Sequence, residues 1–265
     1  MSPDVSRGRF VWYDLMTTDP AGAQAFYTQL IGWGTQEWAG AGQPYTMWTM
    51  GPGSESEMPL GGVMQLPPEA QQAGAPTHWI AYVAVADVDA VAAQAQELGA
   101  IVYVPGTDIP EVGRFAVLAD PQGAVFAVYT SGQALPPEAP ATVGQFSWHE
   151  LMCGDWEAGF GFYSELFGWV KQDALDMGGG NMFQMYSRPG SFPLGGMYNK
   201  PAEWPGPPAA WLLYIRVDDV KTAVEKLVEL GGTLLNGPME VPGGDLVAQC
   251  LDPQGGVFAL HSSVG

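Results

Sequence analysis

The residues able to do chemistry fall in two matched places. Trp12, Asp14 and Met16 are spaced by two in Trp12-Tyr13-Asp14-Leu15-Met16, and Trp148, Glu150 and Met152 are spaced alike in Trp148-His149-Glu150-Leu151-Met152. On an extended strand this spacing puts each trio on one face. A carboxylate between a tryptophan and a methionine could accept a hydrogen bond or face a ligand's amine. Buried, it is costly unless paired or hydrated. Indole offers a flat stacking surface, and methionine adapts to irregular apolar shapes. Histidine adds proton transfer: Asp14 or Glu150 with His261 would make an acid–base pair. By the same alternation His78 shares a face with Ile80, Tyr129 with Ala127, and His261 with Ala259. His149 falls on the other face from Trp148 and Glu150, so it is expected outside, at the surface or between domains. Each residue also has a plainer reading, with Trp and Met as core and the histidines as satisfied structural groups.

The two trios belong to an internal duplication, the first pattern to seek in a chain of this length. Between 12–33 and 148–169, nine of 22 positions are identical without a gap. Pro59-Leu60-Gly61-Gly62 recurs as Pro193-Leu194-Gly195-Gly196, and Asp120-Pro121-Gln122-Gly123 as Asp252-Pro253-Gln254-Gly255. The intervening 132–144 is rich in proline and small residues and reads as an extended linker. Each half divides again. A strand over 9–17 leads to Asp19-Pro20, a cap and a first-turn proline, and to a helix that stops at Gly32. Short strands follow near 34–39, 45–50 and 60–66, then a loop over 67–77. The next unit has a strand over 78–85, a helix over 88–98 behind Asp87, and strands near 101–105, 113–119 and 124–130. The second half repeats the order: a strand over 145–153, a helix over 156–167, and strands near 170–176, 181–187 and 193–198. Last come a strand over 209–217, a helix over 219–230, and strands near 233–236, 244–250 and 256–262. The expectation is an α+β protein of four βαβββ modules, paired into two curved open-sheet domains at 9–131 and 145–263. The loops 67–77 and 200–208 join the modules, and Trp204 is a candidate lid residue or a packing aromatic.

Composition narrows the partners. The chain has 265 residues, 28 of them acidic and 9 basic, for a net charge of −19. Nucleic acid or an acidic membrane would be repelled, and a small cation attracted; a merely solvating acidic surface is the alternative. Two cysteines, Cys153 and Cys250, make neither a disulfide framework nor a zinc pattern. No apolar run approaches a membrane span and no secretory leader is evident, so the cytoplasm is the expected location.

A strand, an Asp-capped helix containing Phe-Tyr and ending Leu-x-Gly-Trp, and a closing Asp-Pro-x-Gly before an apolar strand resemble the vicinal-oxygen-chelate superfamily of glyoxalases, bleomycin-resistance proteins and dioxygenases. The resemblance covers about 9–131 and 145–263. It implies a cup in each half, lined by Trp12, Asp14, Met16, His78 and Tyr129 in one and by Trp148, Glu150, Met152 and His261 in the other. It also implies a divalent metal held from three strands, but the matching positions are Trp12, Ile80 and Ala127, and Trp148, Leu212 and Ala259. None of these can ligate, so neither metal nor cofactor is expected. The two-domain pattern further resembles accessory and self-protection proteins of actinomycete antibiotic pathways, including those of anthracycline biosynthesis, and actinobacterial proteins labelled hydroxylase or glyoxalase-like. The implied function is metal-independent binding and sequestration of a flat, hydrophobic, cationic natural product by a monomer, with a tailoring enzyme of the same pathway as a possible partner. The alternative is an enzyme, either a tailoring or a glyoxalase-like one, using Asp14, Glu150 and His261 as acid and base or a metal site that the match misses. A protein-interaction module is the third reading.

Overall fold

A computed structural model describes residues 7–40, 45–54, 57–201 and 209–263. The first module is β1 (Phe10–Thr17), α1 (Pro20–Ile31), β2 (Gly34–Trp38), β3 (Tyr45–Met50) and β4 (Met58–Gln65). After a short α2 (Pro68–Gln72) comes the second: β5 (His78–Ala84), α3 (Val88–Glu97), β6 (Ile101–Ile109), β7 (Gly113–Ala119) and β8 (Val125–Ser131). The third is β9 (Phe146–Cys153), α4 (Trp156–Phe167), β10 (Val170–Asp176), β11 (Met182–Ser187) and β12 (Pro193–Asn199). The fourth is β13 (Ala210–Arg216), α5 (Val220–Glu229), β14 (Thr233–Glu240), β15 (Leu246–Leu251) and β16 (Val257–Ser262). The strands form two eight-stranded open sheets of identical plan, β2-β3-β4-β1-β5-β8-β7-β6 and β10-β11-β12-β9-β13-β16-β15-β14. The α+β class and four βαβββ modules are as expected.

Each module helix starts on an aspartate whose carboxylate accepts from the backbone three residues on: Asp19 from Gly22, Asp87 from Ala90, Asp155 from Ala158 and Asp219 from Thr222. Gly32 and Gly168 end α1 and α4 at φ of 84° and 71°, a left-handed conformation that costs glycine nothing. The loop over 67–77 contains the five-residue α2, begun by Pro67-Pro68 and too short to show as a period. β6 and β14 run about four residues beyond expectation, through Pro105-Gly106 and Gly237-Pro238. Both are edge strands and both carry register shifts. An edge with a bulge tolerates a residue that cannot donate to the ladder.

The sheets follow the sequence halves, while the chain packs into two compact units that divide it differently. One unit is Met1–Trp12, Ala81–Ala139 and His149–Leu212; the other is Tyr13–Ile80, Pro140–Trp148 and Leu213–Gly265. In the first, α3 packs with α4; in the second, α1 packs with α5. The duplicated motifs meet inside these units. In the first, the Tyr163 hydroxyl of α4 donates to the Asp120 carboxylate at 3.0 Å and accepts from Trp211 Nε1 at 3.1 Å. Asp120 also accepts from the Gln122 and Ala124 amides. In the second, Tyr27 of α1 donates to Asp252 at 3.1 Å and accepts from Trp79 Nε1 at 3.2 Å, and Asp252 takes the Gln254 and Gly256 amides. Phe-Tyr and Asp-Pro-Gln-Gly thus form one buried lock per unit, and desolvation raises both aspartates above the ordinary carboxylate value. Aromatic rings surround each phenol: Phe126, Phe167, Trp169 and Trp211 around Tyr163, and Trp33, Trp48, Trp79 and Phe258 around Tyr27.

Candidate functional site

The first trio lies on β1. Asp14 is 4% exposed, while Trp12 and Met16 are half-buried. The Asp14 carboxylate accepts from the Tyr45 hydroxyl at 2.7 Å. Tyr45 belongs to β3, and β4 lies between β3 and β1. Gly62 of β4 pairs with Asp14, and a Cβ on Gly62 would collide with the Tyr45 phenol. Gly62 therefore opens the path by which the phenol crosses one strand to reach the carboxylate.

The second trio, on β9, solves the same problem with other residues. Glu150 is 6% exposed and pairs with Gly196 of β12, while Trp148 and Met152 are half-buried. The space above Gly196 is taken by the Phe183 ring of β11, which has no hydroxyl. Tyr198 of β12 supplies one instead: it is hydrogen-bonded to Glu150, with Phe183 stacked on it at 5.7 Å. Burial first, then the Glu150 charge, pushes the Tyr198 phenol well above its ordinary value, so it stays protonated and donates. Both halves thus keep a buried carboxylate beside a phenol donor. Tyr45, Tyr198 and Phe183 escape sequence reasoning; the recurring Pro-Leu-Gly-Gly was their only trace.

The remaining candidates have other partners. His78 opens β5 half-buried, its Nδ1 2.7 Å from the Pro76 carbonyl oxygen, which fixes the proton on Nδ1; burial lowers its pKa. The Tyr129 hydroxyl donates to the Val112 carbonyl at 3.0 Å. His261 bonds Ser147 through Nδ1 and Asp245 through Nε2. By compact unit, Trp12, Tyr129, Glu150 and Met152 fall in the first, and Asp14, Met16, His78, Trp148 and His261 in the second. Trp204 lies outside the described residues.

Of the two places expected for His149, the surface is corrected, and the place between the two sequence halves is the one found, against Phe10. His149 is 5% exposed, stacked on Phe10 with ring centroids 3.7 Å apart, and its Nδ1 lies 3.0 Å from the Leu194 carbonyl oxygen. Desolvation lowers its pKa from 6.5 to about 4. Alternation gives the face correctly, but the Phe10 ring of β1 covers the imidazole on that face. The two cysteines are buried, and burial pushes both thiols up to about 12, so neither is a poised nucleophile.

The description "Glyoxalase/Bleomycin resistance protein/Dioxygenase superfamily" matches residues 145–260, and "Glyoxalase-like domain" matches 11–129. "Putative glyoxylase CFP32" of Mycobacterium tuberculosis (strain CDC 1551 / Oshkosh) is 30% identical over 94% of this chain and 92% of its own length. The chain belongs to the glyoxalase/bleomycin-resistance/dioxygenase superfamily. Another relative, "Anthracycline biosynthesis protein DauV" of Streptomyces sp. (strain C5), is 31% identical over 96% of this chain and 92% of its own. The fold is shared with the Mn(II)-bound glyoxalase from Novosphingobium aromaticivorans, at a TM-score of 0.61 and 19% identity over 98% of this chain and 83% of that one.

A metal of the superfamily's kind does not fit the residues present. The strand positions that the resemblance assigns to the ligands are Trp12, Ile80 and Ala127, and Trp148, Leu212 and Ala259. Hydrocarbon side chains carry no lone pair, and an indole N–H is a donor only. His78, two residues before Ile80, spends one nitrogen on Pro76. Among the described residues no three His, Cys, Asp or Glu side chains gather as a metal site, and no helix is long and apolar enough to cross a membrane.

Proposed function

We propose that this protein binds and sequesters a flat, hydrophobic, cationic natural product, anthracycline-like in shape, without a metal, as an accessory or self-protection protein of antibiotic biosynthesis. The observation that carries the reading is the carboxylate–phenol pair repeated in both halves: Asp14 with Tyr45 and Glu150 with Tyr198. The two pairs are built from different strands, so fold repetition alone does not explain why each half has one. A buried carboxyl group that accepts from a phenol is also an acceptor for a ligand's ammonium N–H. Trp12, in the same compact unit as Glu150, and Trp148, in the same unit as Asp14, supply stacking surfaces. The net charge of −19 draws a cation from solution and repels nucleic acid and acidic membranes. The relatives named for anthracycline biosynthesis support this ligand class. We place the protein in the cytoplasm, as a monomer whose partners are the small aromatic product and a tailoring enzyme of its pathway.

The test is tryptophan fluorescence of chelator-treated protein titrated with a cationic anthracycline. Saturable quenching is expected, weaker in Trp12→Ala and Trp148→Ala and weaker at high salt. Equal affinity in both variants and wild type would refute the stacking role.

A further inference from the structure

A hydrogen-bonded chain that the binding reading leaves unused runs through Ser147, His261 and Asp245. Ser147 is on β9, His261 on β16, and Asp245 in the turn before β15; all three lie in the same compact unit. Ser147 Oγ is 2.8 Å from His261 Nδ1, and His261 Nε2 is 2.9 Å from Asp245 Oδ2. A carboxylate only accepts, so Nε2 carries a proton, and in the neutral ring the Nδ1 lone pair faces the serine hydroxyl. The hydroxyl also has a longer contact, 3.4 Å, to the Tyr214 carbonyl oxygen. A nucleophile, a base within about 2.6–3.2 Å and a third group that orients the base are the parts of an acyl-transfer centre. The ring is turned relative to the familiar serine triad, but either nitrogen serves as the base.

The fold does not need this chain. The first half has Val11, Tyr129 and Gly113 at the corresponding positions, and Tyr129 is satisfied by the Val112 carbonyl. The triad is an addition to the second half. Nor is it sealed: the His261 and Asp245 side chains are 16% and 35% exposed, and Ser147 is half-buried.

We propose that Ser147, His261 and Asp245 form a hydrolytic centre for neutral or cationic carboxylic esters, anionic ones being repelled by the acidic protein. Ser147 Oγ attacks the ester carbonyl while Nδ1 of His261 takes its proton. The tetrahedral adduct collapses, the C–O bond to the alcohol breaks, and His261 returns the proton to the leaving alcohol. Water, deprotonated by the same nitrogen, then attacks the acyl-serine, releasing the acid and restoring Ser147. Asp245 is a positioning residue that fixes the imidazole tautomer. The proposal stands apart from the carboxylate–phenol pairs, so ligand binding and hydrolysis fail independently.

The test uses the full chain. Wild-type protein is incubated with a fluorophosphonate probe and analysed by peptide mass spectrometry, and p-nitrophenyl acetate hydrolysis is followed in wild type, Ser147→Ala, His261→Gln and Asp245→Asn. The expected result is a phosphonyl adduct on Ser147, loss of hydrolysis in S147A and H261Q, and a fall of about 10²–10⁴-fold in D245N. Circular dichroism of each variant separates lost chemistry from lost folding. A folded wild type that takes no probe on Ser147, or an S147A that hydrolyses as wild type does, would overturn the proposal.

Discussion

Acid should weaken this protein through His149 in particular. The imidazole is buried, stacked on Phe10 and hydrogen-bonded to the Leu194 carbonyl, and its pKa falls from 6.5 to about 4. In the unfolded chain it titrates at the ordinary value. Above pH 6.5 both states are neutral and the stability is intact. As the pH falls below 6.5 the unfolded state takes a proton that the folded state refuses, and the loss grows until the pH reaches about 4. Each pH unit is worth about 1.4 kcal/mol, so the full loss is about 3 kcal/mol and the loss by pH 5 about 2 kcal/mol. Work at pH 5 stays above the isoelectric point of about 4.1. The perturbation is His149→Phe, which keeps the ring on Phe10 and removes the titration. It loses the Leu194 hydrogen bond, a pH-independent cost of about 1 kcal/mol. The assay is urea unfolding of both proteins at pH 7.5 and pH 5. The variant should be the weaker at pH 7.5, and the gap should close or reverse by pH 5. His78, also lowered by burial, titrates in both proteins and cancels from the difference. A gap unchanged between the two pH values would refute the reasoning.

Other perturbations probe the locks and the crossings. Tyr27→Phe strands Trp79 Nε1 and takes a donor from Asp252; urea unfolding at neutral pH should show a loss of about 2–4 kcal/mol. Asp120→Asn removes a carboxyl whose folded pKa is raised above 3.8 by desolvation. The stability that this carboxyl gives is complete below 3.8 and is lost as the pH climbs through the raised value, so the variant's pH profile should be flatter over that rise. Gly195→Ala would drive a methyl into the His149 carbonyl oxygen and the Tyr186 hydroxyl, and should cost about 3 kcal/mol by the same assay.

What could be read from sequence was what repeats or alternates. Trp12, Asp14 and Met16 declared a strand face through their spacing, and Asp19 and Asp87 declared helix starts. α2 is too short to show a period, and β6 and β14 extend past 105 and 236 because an edge strand with a register shift accommodates Pro105 and Pro238. The partners of the candidate residues stayed hidden for a different reason. Tyr45 reaches Asp14 only because β3, β4 and β1 are neighbours in a register that puts Gly62 beneath the phenol. Ser147 and His261 are 114 residues apart. Such meetings depend on strand order, which no local pattern contains. His149 shows the same limit from the other side, since alternation names a face and says nothing of the Phe10 ring that covers it.

The measurement that bears most directly on the account is calorimetric titration of chelator-treated protein with a cationic anthracycline, in wild type and in Asp14→Asn and Glu150→Gln. Metal-free wild type should bind, with affinity falling as salt rises, and at least one variant should bind about tenfold or more weakly. Binding that appears only when a divalent metal is restored, or that survives unchanged in both variants, would contradict it.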